Sequence, residues 1–211
     1  MPQDAVKKVA VRFQILIFDG FDELDAIAPY EVLQNAAQMK VDAIVELVTA
    51  DAAKEITAAH GLRIRPSGQL DLQRRPDVLI VPGGGWIDRS ATGAHAEAER
   101  GIIPKMIKSF HEAGTICVSV CTGAMLLAMA GILKGRPATT NHGAIKDLAD
   151  SGANVINARV IDDGNIITAA GVTSGLDLGL WIVERFYGPK IAQELEVQME
   201  YERRGTVWRV F

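Results

Sequence analysis

Three short apolar runs, each broken off by a turn sequence, constrain this chain most. Val9 to Phe18 (VAVRFQILIF) ends at Asp19-Gly20, Val78 to Val81 (VLIV) at Pro82-Gly83-Gly84-Gly85, and Thr115 to Val120 (TICVSV) at Cys121-Thr122-Gly123. Runs so short and β-rich read as strands, and a strand apolar along its whole length must be covered on both faces. That condition is met by a mostly parallel sheet between two layers of helices, an α/β fold. The intervening segments supply the helices. Asp25 to Met39 carries apolar residues at helical spacing, with Pro29 in its first turns. Helices are also expected over 102–113, 124–130, 141–150, 173–186 and 189–201, and further strands over 44–49 and 62–64. Val160 to Asp162 and Asn165 to Thr168 flank Asp163-Gly164 and read as a hairpin.

With 211 residues, no internal repeat and no Pro/Gly/Ser-rich linker, the chain reads as one domain over residues 9–204. Residues 1–8 and 205–211 are expected to be loosely held. A net charge of -4 gives no basic footprint for nucleic acid or for a membrane surface, which leaves small molecules or proteins as partners. The N-terminus lacks the apolar core and small-residue cleavage site of a signal peptide. No uncharged apolar stretch reaches the roughly 18 residues that span a bilayer. The two cysteines, Cys117 and Cys121, would lie about 13 Å apart along a strand, too far for a disulfide. A reducing, cytoplasmic location is expected.

Ligands of open α/β sheets bind beyond the carboxyl ends of the strands, so the residues that follow the three apolar runs are the candidates. Cys121 sits between a buried strand and a helix start, the setting of a nucleophile elbow with Cys in place of Ser. The helix dipole and nearby amides would stabilise its thiolate. The same position also suits a buried structural cysteine, the reading preferred for Cys117. The Pro82-Gly83-Gly84-Gly85 loop can offer bare backbone amides to developing negative charge, or simply be a loop that needs positive φ. Asp25 is open between helix cap and general acid or base. His142 is open between base and surface residue. No set of His, Cys, Asp or Glu has metal-ligand spacing, so neither metal nor cofactor is expected.

Four segments together carry a family resemblance. They are LDAIAPYEVL (Leu24 to Leu33), DVLIVPGGG (Asp77 to Gly85), VSVCTGAMLLAMAGILKGRPATT (Val118 to Thr140) and IITAAGVTSGLD (Ile166 to Asp177). In this order they resemble the ThiJ/PfpI superfamily, related to the class I glutamine amidotransferases. The resemblance implies a flavodoxin-like three-layer sandwich, an elbow cysteine and a homodimer.

Within the superfamily, Thr122 after Cys121 and Asp25 in the facing helix resemble the branch that hydrates isocyanides to N-formamides. That implies Cys121 as nucleophile, forming a thioimidate, and Asp25 as general acid and base. The amides of Gly84, Gly85 and Thr122 would hold polar atoms of the intermediate, and Asn141, His142, Val172 and Thr173 would line the pocket. This sequence departs from that branch with Asn141-His142 after Ala-Thr-Thr, and with Val172 where a bulkier isoleucine is found. The alternatives are a glyoxalase- or deglycase-like enzyme on reactive aldehydes, and a redox sensor built on an oxidisable thiolate. The role of the helix-turn-helix regulators that share this domain is not expected here, for want of residues and positive charge.

Overall fold

A computed structural model describes residues 10–39, 41–52 and 55–210. The expected flexibility of residues 1–8 lies outside the described residues. Eight strands form the main sheet: β1 (Val11–Leu16), β2 (Ala43–Thr49), β3 (Gly68–Gln69), β4 (Val78–Val81), β5 (Ile116–Val120), β6 (Val160–Asp162), β7 (Ile166–Ala169) and β8 (Trp208–Arg209). Their spatial order is β8-β6-β7-β5-β4-β1-β2-β3. β3, β2, β1, β4, β5 and β7 are mutually parallel. β6 runs antiparallel to β7, with β8 parallel to β6 at the edge. The helices are α1 (Glu23–Gln38), α2 (Ala94–Arg100), α3 (Ile102–Glu112), α4 (Gly123–Met129), α5 (Ile145–Asp150), α6 (Ser174–Tyr187) and α7 (Pro189–Gln198). This is the flavodoxin-like α/β architecture.

The strand order explains the two helical layers. From β1 the chain crosses through α1 to β2 on one side, whereas from β4 it crosses through α3 to β5 on the other. Right-handed crossovers in opposite directions place their helices on opposite faces. Accordingly α1, α6 and α7 pack together, as do α2, α3 and α4. The reversal falls between β1 and β4, and their carboxyl ends open a crevice there. The apolar runs are as buried as their composition requires: Phe13, Ile15, Leu16, the whole of β4, Cys117 and Val118 are sealed from solvent. Among the described residues no helix is long and apolar enough to cross a membrane.

The fold differs from the sequence reading in several places. α2 was not foreseen: its seven residues carry too little apolar periodicity, and it is held by packing against α3 and α4. The helix expected over 141–150 opens as a 3-10 turn (His142–Ala144) because Asn141 accepts the Gly143 amide at 2.9 Å. Pro29 lies two turns into α1, which starts at Glu23. Proline has no N–H, so the Asp25 carbonyl is released from the helical ladder. The segment after Gly205, expected as a loose tail, instead contributes β8 to the sheet edge, with Arg209 over the Trp181 ring.

Candidate active site

Cys121 is the residue immediately beyond β5, and its φ of 55° lies in the left-handed region. A side chain there costs roughly 1–3 kcal/mol, so the surroundings must hold it. They do so from both sides of the peptide. The Cys121 N–H donates to the Ala169 and Ala170 carbonyls at 3.0 and 3.1 Å. The Cys121 carbonyl accepts the Thr140 hydroxyl at 2.8 Å. Gly123 lets the turn close, because a Cβ there would collide with the Val81 and Pro82 carbonyls at the end of β4. The elbow therefore exists as the sequence implied, and Cys117 sits inside β5 as a buried strand residue, its thiol pushed up to about 12 by burial.

Asp25 comes to the same point from the first turn of α1. It is fully buried, and its Oδ2 accepts the Gly83 amide at 3.0 Å. Among the described residues its Oδ1 has no hydrogen-bond partner, and the Cys121 thiol is a neighbour that acts to lower its proton affinity. Burial, reinforced by the Asp22 charge, pushes the Asp25 carboxyl up to about 8. A carboxyl in this setting keeps its proton at neutral pH. Its other role in the sequence reading, capping the helix, belongs to Asp22, whose Oδ1 accepts the Leu24 amide.

The thiol differs from the sequence expectation. Burial, then the neighbouring Asp25, push Cys121 well above the ordinary thiol range; the Thr122 amide and Asn141 side chain act in the opposite direction. Thr122 makes no side-chain cap to the seven-residue α4. Helix-end charge falls off within a turn and cannot offset so complete a desolvation. Burial thus favours the protonated form of both groups.

The glycine loop divides its work in a way that the sequence did not reveal. Pro82 has no N–H, so Gly83 offers the first donor after β4, and that donor serves Asp25. Gly84 instead donates to the Thr122 hydroxyl at 3.0 Å, which leaves its amide engaged rather than open for an intermediate. Gly84 and Gly85 both have positive φ, and a Cβ on either would strike backbone atoms of neighbouring loops. The Thr122 amide acts on the Cys121 thiol in the direction that favours the thiolate.

Of the expected pocket residues, Asn141 is the one whose side chain acts on the thiol, in the direction that favours the thiolate. Its Oδ1 accepts the Gly143 amide, and its Nδ2 lies over the bare Cα of Gly171. His142 is exposed to solvent. Val172 is half-buried against the core, and Thr173 is exposed with its hydroxyl accepting from Arg159 at 3.3 Å. A groove of about 1070 Å³ between α6, α7 and the C-terminal strand is lined by neither Cys121 nor Asp25. The residues the sequence did not single out are Thr140, Gly171 and Asp22; Gly83 belonged to the glycine loop that it did. Thr140 was adjacent to a flagged residue, but only the close approach of two loops gives its hydroxyl a role. No group of three or more His, Cys, Asp or Glu among the described residues is placed to hold a metal.

A profile of the DJ-1/PfpI family matches residues 11–185. The chain is 34% identical over 194 residues to an isonitrile hydratase from Pseudomonas putida, which covers 92% of this chain and 79% of that relative. It is 26% identical over 193 residues to the Parkinson disease protein 7 homolog of Danio rerio, covering 89% of this chain and 96% of the relative. The solved structure of a ThiJ/PfpI family protein from Pseudomonas syringae superimposes with a TM-score of 0.80 at 28% identity. That match covers 97% of this chain and 83% of the other.

Proposed function

This chain belongs to the DJ-1/PfpI family, and from that premise we propose that it hydrates isocyanides, R–N≡C, to N-formamides, with Cys121 as nucleophile and Asp25 as proton carrier. The observation that carries the reading is the burial of the Asp25 carboxyl, with its raised proton affinity, at the elbow thiol of Cys121. Similarity to the Pseudomonas putida isonitrile hydratase supports the same substrate class.

The chemistry suits the pair. An isocyanide carbon carries a lone pair, and addition of a nucleophile there also places a proton on the same carbon. Asp25, protonated at neutral pH, gives its proton to that carbon and forms the C–H bond. The resulting carboxylate takes the thiol proton, and the thiolate so released attacks the same carbon to give the thioimidate R–N=CH–S–Cys121. Raised proton affinity on both groups is therefore useful: the thiol ionises only as the acid discharges. Water then adds across the C=N bond, its oxygen to carbon and one proton to nitrogen through Asp25. The C–S bond breaks, the remaining hydroxyl proton returns to sulfur, and R–NH–CHO leaves. Covalent attachment divides one hard addition into two easier ones. Asn141 Nδ2 and the Thr122 amide supply hydrogen bonds to sulfur as charge gathers there.

The test is formamide formation from a simple aromatic isocyanide by the purified protein and by Cys121→Ala. Turnover that disappears in the variant supports the reading. Turnover that persists in the variant overturns the mechanism. Conversion of methylglyoxal to lactate with no isocyanide turnover would move the substrate to reactive aldehydes. The reading includes a homodimer in the cytoplasm; light scattering on the purified protein measures the first part.

A further inference from the structure

Asp22, the N-cap of α1, stands three residues before Asp25, and it is fixed from three directions. Its N–H donates to the Gly83 carbonyl at 2.9 Å, and Gly83 in turn donates to Asp25. Its side chain caps the Leu24 amide at 3.2 Å. Its backbone lies against the bare Cα of Gly84, where a Cβ would come within 2.6 Å of the Asp22 nitrogen. No salt bridge engages the Asp22 carboxylate among the described residues. Many helix caps would serve as well without a charge, since Asn and Ser are equal to Asp in that role.

We propose that Asp22 is a positioning residue of the Cys121–Asp25 site, a fixed negative charge that keeps the proton stored on the buried pair until substrate draws it off. The proposal rests on the hydratase reading for its purpose, but not for its physics. An anion held one helical turn from a buried carboxyl and thiol disfavours ionisation of either. The other groups around the pair do not supply this charge. Glu23, next on α1, is engaged with His60 at 2.6 Å and with the His60 amide. The Gly83–Gly85 loop carries no charge. α6 packs on α1 through Gly175 and Gly179, and its Asp177 is held by Arg159 at 2.9 Å. The 140–142 segment presents the neutral Asn141, with His142 turned to solvent. Both buried groups respond to Asp22, in the direction that retains protons.

The experiment is the pH dependence of Cys121 alkylation by iodoacetamide, read by peptide mass spectrometry, in the natural chain and in Asp22→Asn. Asparagine keeps the cap and removes the charge. The expected result is an acid-going shift of about half a pH unit in the alkylation curve, or about threefold faster alkylation on its rising limb. The shift shrinks in high salt, because the charge is half-exposed. Asp22→Ser must reproduce the shift, and Glu23→Gln must leave the curve in place. A curve for Asp22→Asn that superimposes on that of the natural chain overturns the proposal; a purely structural cap would give that result. Alkylation uses no substrate. A shifted curve in a protein that forms no formamide would therefore retain Asp22's role and refute only the hydratase reading.

Discussion

The Gly84 amide donates to the Thr122 hydroxyl at 3.0 Å, joining the glycine loop after β4 to the elbow after β5. Two loops that are separate in sequence are thus tied together around Cys121. Thr122→Val keeps the shape and removes the acceptor, leaving the Gly84 N–H unpartnered in a partly buried place. The expected cost is about 1–2 kcal/mol, read as a lower midpoint in urea, and Thr122→Ser restores it.

Asn141, which acts on the Cys121 thiol, keeps its carboxamide in place because residue 171 has no side chain. In Gly171→Ala the new methyl displaces the Asn141 carboxamide, which is flexible enough to turn away at little cost in stability. Alkylation of Cys121 and isocyanide turnover should both fall, by about tenfold if one hydrogen bond to the forming thiolate is lost. Asn141→Ala should give the same loss, and the double variant should lose no more than either single one. His142→Ala should leave both rates unchanged.

Asp25 imposes a pH dependence on stability. The free carboxyl has a value of 3.8 and the buried one about 8, so between these limits the unfolded chain has released a proton that the folded chain retains. Stability therefore falls as pH rises from about 4 to about 8, and levels off above that. Asp25→Asn keeps an acceptor for Gly83 and removes the titration. Its melting temperature should lie above that of the natural chain at pH 8 by an amount reflecting a few kcal/mol, with the gap closing toward pH 4.

The positive φ of Cys121 is paid for by the rest of the fold, and glycine would relieve it. Cys121→Gly should be at least as stable as Cys121→Ala, by up to about 1 kcal/mol, since alanine keeps the strain and glycine does not. Both should be inactive. A more stable alanine variant would mean that the elbow relaxes when sulfur is removed.

Much of this was legible in the chain. The apolar runs at Val78 to Val81 and Thr115 to Val120 identified the central strands, and the turns after them identified where chemistry belongs. Burial on both faces imposes a composition that a single sequence displays. Gly164 marked the β6–β7 hairpin, and Cys121-Thr122-Gly123 marked the elbow. The short strands at Gly68–Gln69 and Trp208–Arg209 were not legible, because two residues at a sheet edge carry no period and are held only by their neighbours.

The chemistry of the site was decided in three dimensions. Sequence determined that a thiol, a carboxyl and a glycine loop would meet at the carboxyl end of the sheet. It did not determine which amide serves which group: Gly83 rather than Gly84 faces Asp25 because of the register in which α1 meets the end of β4. Nor did it determine the protonation of the pair. A thiol at a helix start reads as acidic from local sequence, yet desolvation by α1, the β4 loop and the Gly171 loop outweighs the helix end. Local geometry follows from neighbouring residues along the chain, whereas proton affinity depends on everything packed within a few ångströms, and most of that comes from elsewhere in the chain.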